Sequence, residues 1–225
     1  MIKKEQQYLF RQEELVFFGN VTASMSHELN NVLAVIEQTA GLLEDIAMES
    51  NSDQPIKKDE VEKVLKKVSD QTKRGAAIIK RLNAFAHSVD ESSREIDVGK
   101  IINAVASLAE RMADRKRVSL EPRQNREHVT IRNNPFRVQQ ALYLSIKEAV
   151  SAAPEASKVM FSAGKNDSGT RITIESVCDA GGQAPKLSFV EMLMVKINGE
   201  LKSARKGSRF IIELVFPALD DQLQL

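Results

Sequence analysis

The residues best suited to chemistry in this sequence lie together in segment 24–31, which reads SMSHELNN. His27 is followed directly by Glu28, and Asn31 comes four positions after the histidine. An imidazole can be phosphorylated and can pass the phosphoryl group on, while a neighbouring carboxylate can manage its proton. The segment therefore indicates a phosphoryl-accepting histidine. A zinc-protease site is excluded, because H-E-x-x-H needs a second histidine where Asn31 stands.

A long helix must position these residues, because the apolar residues around them recur in steps of three and four. The predicted seam consists of Leu15, Phe18, Thr22, Met25, Leu29, Val32, Ile36, Thr39, Leu43 and Ile46. In this frame His27 and Asn31 share the outward face, one turn apart. We therefore expect a helix over 5–48 that presents His27 to a partner protein.

A second amphipathic helix is predicted over 58–88, after a polar break that contains Pro55. Its predicted stripe is Val61, Val64, Leu65, Val68, Ala76, Ile79, Leu82 and Phe85. Two long helices joined by a short turn form an antiparallel hairpin. Because each helix has a wide apolar stripe and one partner, two hairpins are expected to pair as a four-helix bundle in a homodimer.

The composition excludes several classes of protein. A net charge of +1 and the absence of tryptophan give no reason to expect a nucleic-acid partner. The single cysteine, Cys178, rules out an internal disulfide framework and favours a reducing compartment. No signal-peptide core and no apolar run of about 18 residues is present, so we expect a cytoplasmic protein without membrane insertion.

Beyond a linker at 90–94, helical patterns alternate with short β-branched runs. The predicted helices cover 99–113, 135–153 and 186–197. The predicted strands cover 118–121, 129–132, 158–163, 171–178, 200–204 and 208–216, with a hairpin turn at 165–169. This order predicts an α/β sandwich with helices on one face of a mostly antiparallel sheet. We thus expect two domains, a helical hairpin at 1–92 and the sandwich at 93–225.

The order of these parts resembles the catalytic core of sensor histidine kinases. The stretch HELNNVL at 27–33 is similar to the family's histidine box, although Val32 stands where many members have proline, and 81–86 resembles the usual end of the second bundle helix. The resemblance implies a dimerising hairpin followed by a histidine-kinase-type ATPase domain. It also implies that His27 accepts phosphate, Glu28 acts as general base and Asn31 positions water.

The second domain departs from the family pattern at the residues that would bind ATP. Glu148 replaces the magnesium-binding asparagine, and Asp179 with Gly181 resembles the D-x-G-x-G box without its last glycine. The flexible ATP lid and its second glycine-rich box, which would bring backbone N–H groups to phosphate, are missing. We therefore regard Asp179, Gly181 and Glu148 as a vestigial cofactor site. ATP binding, autophosphorylation and a resident metal ion are not expected.

The resulting hypothesis is a histidine phosphotransferase of a two-component phosphorelay. His27 would exchange phosphoryl groups with aspartates of response-regulator receiver domains, and the receiver would supply the Mg²⁺. The same face could dephosphorylate a response regulator. Two alternatives stay open: a divergent ATP-dependent sensor histidine kinase, and a non-catalytic dimeric scaffold that sequesters a response regulator.

Overall fold

The computed structural model describes residues 2–50, 55–123, 128–166, 169–178 and 185–218. The chain forms two compact units, Met1–Ala86 and His87–Leu225. The first unit is helical and the second combines helices with a β-sheet. The predicted fold class, a helical hairpin followed by an α/β sandwich, is confirmed.

The helical unit consists of α1 (Ile2–Glu49) and α2 (Lys58–His87). The two helices run antiparallel, because Phe17 of α1 contacts Phe85 near the end of α2 and Glu28 contacts Arg81. Phe85 meets Phe17 edge to face with ring centroids 5.5 Å apart and stacks on Phe18 at 5.4 Å. Aromatic pairs of this kind stabilise a contact beyond the area they bury. They hold the open end of the hairpin together.

The predicted seam of α1 is wrong in its first part. Phe17 and Val21 are buried, whereas Leu15 is 72% exposed and Phe18 is 37% exposed. Steps of four residues separate positions 17, 21 and 25, because a helix of 3.6 residues per turn drifts against a strict heptad. From Met25 onward the seam follows the prediction, with Val32 and Thr39 buried. The frame around His27 is therefore unaffected.

The stripe of α2 is confirmed at Val64 and Phe85, but it lies one position away from the prediction near the middle of the helix. Gly75 and Ile78 are buried against α1, in place of Ala76 and Ile79. A Cβ atom at Gly75 would lie 3.3 Å from Cγ1 of Val32, so glycine permits the close approach of the two helices here. Because glycine does not count as an apolar residue in a periodicity analysis, the sequence pattern favoured Ala76 over Gly75.

The α/β unit contains β1 (Arg94–Asp97), α3 (Val98–Arg115), β2 (Ser119–Pro122), β3 (Thr130–Asn133), α4 (Pro135–Ala152), β4 (Lys158–Asn166), β5 (Gly169–Val177), α5 (Ser188–Lys196), β6 (Glu200–Lys206) and β7 (Arg209–Phe216). The main sheet has the strand order β2-β4-β5-β7-β6, and only the β2–β4 pair is parallel. The short strands β1 and β3 pair separately. The sequence pattern does not predict strand β1, of which only Arg94 lies in the predicted linker.

One face of the main sheet forms the core of this unit. In β5 the buried residues alternate with partly exposed ones, and α4 packs over the central strands. Helix α3 is capped by Asp97, whose carboxylate accepts from the backbone N–H of Lys100 at 2.9 Å. Asn134 caps α4 in the same way through the N–H of Arg137. Such caps satisfy N–H groups that a helix leaves unpaired at its start.

Across the described residues, no helix combines the length and the apolar character needed to cross a lipid bilayer. Helix α1 carries charged residues near both of its ends, and Glu28 and Glu37 between them.

Candidate phosphoryl-accepting site

His27 lies in the middle of α1 with its side chain exposed. The side-chain amide of Asn31, one turn later, lies 3.3 Å from the Nδ1 atom of the histidine. Residues four apart face each other on a helix, so this contact follows directly from their spacing. With Nδ1 engaged by the same helix, Nε2 is the ring nitrogen available to a second molecule.

The Asn31 contact determines which tautomer of His27 can react. If the amide nitrogen donates to Nδ1, the proton of the neutral imidazole is on Nε2. If the amide turns its Oδ1 atom to the ring, Nδ1 keeps the proton and Nε2 carries a lone pair. Turning the amide by 180° exchanges the two arrangements without moving the ring. Only the second tautomer is a nucleophile at Nε2.

Glu28 points away from the outward face and toward the second helix. Its Oε2 atom lies 3.1 Å from Nη2 of Arg81 on α2, and the two side chains are 24% and 37% exposed. The pair is therefore partly buried between the helices. An arginine fork restricts the position of a carboxylate, so the Glu28 side chain is held against α2.

Arg81 is a site residue whose role the sequence did not reveal. In the sequence it belongs to segment 81–86, which resembles the usual end of the family's second bundle helix. Its partner Glu28 is 53 positions away in the chain. The contact depends on the register of the hairpin, which also places Gly75 against Val32. A correct register would have put an arginine opposite the glutamate.

The predicted residues His27 and Asn31 thus come together on one open surface. Glu28 is adjacent to His27 in the sequence, but its carboxylate pairs with Arg81 of α2. An exposed helical histidine can reach a group carried by another protein. The arrangement suits transfer between macromolecules better than a reaction on a small enclosed substrate.

The vestigial cofactor residues were predicted at Glu148, Asp179 and Gly181. Glu148 lies on α4, and its Oε2 atom accepts a hydrogen bond of 3.0 Å from the backbone N–H of Lys186. This hydrogen bond holds the segment before α5 against α4. Asp179 and Gly181 lie outside the described residues. Within the described part of the chain, no group of three or more His, Cys, Asp and Glu side chains is arranged to hold a metal ion.

No protein-family model matches this chain, and no curated protein matches it either. Solved structures do. A structure of histidine kinase ThkA in complex with response regulator protein TrrA has a TM-score of 0.51 and 14% identity, covering 97% of this chain and 67% of that one. The nucleotide-free catalytic domain of ThkA has a TM-score of 0.50 and 13% identity, covering 56% of this chain and 97% of the domain.

A third structure, histidine kinase AdeS of Acinetobacter baumannii, has a TM-score of 0.48 and 15% identity over 85% of this chain and 97% of its own. Identities this low speak to the fold and not to the activity. On the ThkA structures, the chain has a histidine-kinase fold, a helical part followed by an ATPase-like α/β domain.

Proposed function

We propose that this protein is a histidine phosphotransferase of a two-component system, which passes phosphoryl groups between His27 and the aspartates of receiver domains. The observation that carries the proposal is the exposed imidazole of His27, whose Nδ1 atom faces Asn31 and whose Nε2 atom is open to a partner. The neutral ring is a competent nucleophile near pH 7.

The transfer step balances without a cofactor on this chain. The lone pair on Nε2 attacks the phosphorus of an aspartyl phosphate, the N–P bond forms, and the P–O bond to the aspartate breaks. The aspartate leaves as a carboxylate. The proton on Nδ1 then passes through solvent to Glu28, whose carboxylate faces α2, and its return permits the reverse transfer to a second receiver. Asn31 keeps the ring in the required orientation throughout.

Glu28 serves in this scheme as the base, and Arg81 holds its carboxylate in position. The ion pair of 3.1 Å lies in the interior side of the hairpin, so it does not obstruct the outward face where a receiver would dock. Arg81 is thus a positioning residue that acts through Glu28.

Several features favour a receiver domain over ATP as the phosphoryl donor. Glu148, at the position of the family's magnesium ligand, uses one carboxylate oxygen to bind the N–H of Lys186. Its charge would also repel a triphosphate. Only six residues separate Cys178 from Pro185, which is too few for a lid. We accordingly propose that Mg²⁺ comes with the receiver and that this chain binds no cofactor of its own.

We also propose that the working form is a homodimer. Large apolar side chains remain exposed along both helices of the single chain, among them Leu33 (54%), Leu42 (51%) and Leu65 (56%). Burying them against a second hairpin would complete a four-helix bundle. Leu65→Glu is expected to give a monomer in light scattering. Lys66→Glu, an exposed position on another face of α2, is the control and should leave the mass unchanged.

The central experiment follows radiolabelled phosphate from a receiver domain to this protein. A receiver carrying ³²P-aspartyl phosphate is mixed with the wild-type chain or with His27→Ala, and acid-labile label on each protein is measured. We expect label on the wild-type chain and none on His27→Ala. Label from Mg-[γ-³²P]ATP on His27 would support the kinase alternative, while binding of the receiver without transfer would support the scaffold alternative.

A second candidate activity is dephosphorylation of the receiver, and the position of Asn31 favours it. Its amide is exposed next to His27, where it could orient a water toward a docked aspartyl phosphate. Asn31→Ala should then slow the release of inorganic phosphate from the receiver while label still reaches His27. Equal loss of both activities would show that Asn31 acts only by orienting the ring.

A further inference from the structure

A concave surface lies in the α/β unit, at one end of the sheet. It is a cleft of about 480 Å³ lined by Ser92, Ser93, Arg132, Asn133, Asn134, Arg137, Lys196, Ile197, Asn198 and Pro217. Thr170 at the start of β5 pairs with Phe216, the residue before Pro217. The cleft is therefore at the start of β5, whereas Cys178 lies at the other end of this strand. The vestigial nucleotide motif of Asp179 and Gly181 follows Cys178 in the sequence.

The cleft concentrates positive charge. Arg132 comes from β3, Arg137 from the first turn of α4 and Lys196 from the last turn of α5, and no acidic side chain is among the lining residues. Three cations thus converge in a chain whose overall charge is only +1. The first turn of α4 adds the positive end of an 18-residue helix.

Hydrogen bonds fix the walls of the cleft before any ligand arrives. Nδ2 of Asn133 donates to the carbonyl of Ile197 at 2.8 Å, and Nδ2 of Asn134 donates to the carbonyl of Glu91 at 3.0 Å. Oδ1 of Asn134 accepts from the N–H of Arg137. These bonds tie the linker, the start of α4 and the end of α5 together. A preorganised site loses less entropy on binding.

We propose that this cleft binds a small ligand that carries two or more phosphoryl groups. The volume matches that of small-molecule sites, and three cations from three elements require a multiply charged anion. The three cationic residues also take part in contacts within the chain. A guanidinium has five N–H donors, so each arginine can hold an internal partner and a phosphate oxygen together.

The test is a titration of the full-length protein with inorganic pyrophosphate and tripolyphosphate by calorimetry at low salt, without Mg²⁺. We expect saturable binding that weakens as salt is raised. The double variant Arg132→Gln/Arg137→Gln should weaken it at least tenfold, and Lys196→Gln by about threefold. The charge-matched control Arg111→Gln/Arg115→Gln, on the exposed surface of α3, should bind as the wild type does.

Thermal unfolding of each variant shows whether it is folded. If the double variant does not fold, Lys196→Gln still tests the proposal, because the Lys196 side chain is exposed. The proposal fails if pyrophosphate does not saturate the protein, or if the control variant weakens binding equally. It also fails if a poly-glutamate peptide binds to the cleft more tightly than tripolyphosphate, because the cleft would then be a surface for acidic proteins.

Discussion

The ion pair between Arg81 and Glu28 allows a direct test of how the site is positioned. If Arg81 acts only by holding Glu28, replacing it with methionine removes the charge and keeps much of the side-chain volume. The rate of phosphoryl transfer to His27 should then fall, and the fall should require Glu28. In a Glu28→Gln background, Arg81→Met should have no further effect on the rate.

The magnitude follows from the geometry of the pair. The N–O distance is 3.1 Å, and the two side chains are 37% and 24% exposed, so solvent screens part of the attraction. We expect a coupling free energy between Arg81 and Glu28 of about 1 kcal/mol, near the upper end of the range for exposed ion pairs. This free energy corresponds to roughly a fivefold change in the rate of transfer. Losing the base itself costs more, on the order of 100-fold for Glu28→Gln.

The assay is the single-turnover rate of label transfer from a phosphorylated receiver to the wild type, both single variants and the double variant. Urea unfolding of the same four proteins gives the coupling in stability. If Arg81→Met lowers the transfer rate by the same factor in the wild type and in Glu28→Gln, the reasoning is refuted, because Arg81 would then act independently of Glu28. A normal rate for Glu28→Gln would refute its role as the base.

Three further predictions concern stability and are measured by urea or thermal unfolding. Gln140 is fully buried on α4, and among the described residues neither of its side-chain amide atoms has a hydrogen-bond partner, so Gln140→Leu should stabilise the protein by about 1–2 kcal/mol. Ser145→Ala, whose buried hydroxyl donates to a carbonyl, should not stabilise it. The N–H of Lys100 and, secondly, the charge of His128 lower the pKa of Asp97 from its usual 3.8, while burial opposes them. Ionised Asp97 therefore stabilises the folded protein fully above pH 3.8, and this stabilisation is lost as the pH falls through the lowered pKa of Asp97 in the folded protein. Asp97→Asn should therefore make the free energy of unfolding depend less on pH in this acid range. Gly169→Ala should destabilise by about 2 kcal/mol, because φ is +128° and the new Cβ would collide with the carbonyl of Phe216. An unchanged midpoint for Gln140→Leu or Gly169→Ala, or an unchanged pH profile for Asp97→Asn, would contradict the respective assignment.

Local rules were sufficient for much of the fold. Helix periodicity predicted both long helices, and β-branched runs predicted every strand of the main sheet, since these signals depend on residues a few positions apart. They were insufficient where a tertiary contact decided the outcome. Strand β1 has only four residues and is ordered by pairing with β3, more than 30 positions away. In the first part of α1, packing buries Phe17 and Val21 and leaves Leu15 exposed, which the periodicity alone did not indicate.

The sequence by itself determined the part of the site that one helix builds. His27 and Asn31 meet because residues four apart face each other on any α-helix, so their spacing was enough to predict the contact. Tertiary structure alone decided which groups the carboxylates of Glu28 and Glu148 bind. The hairpin register brings Arg81 to Glu28, and packing at α4 brings the backbone of Lys186 to Glu148, because both partners are distant in the chain and only folding places them within hydrogen-bond distance.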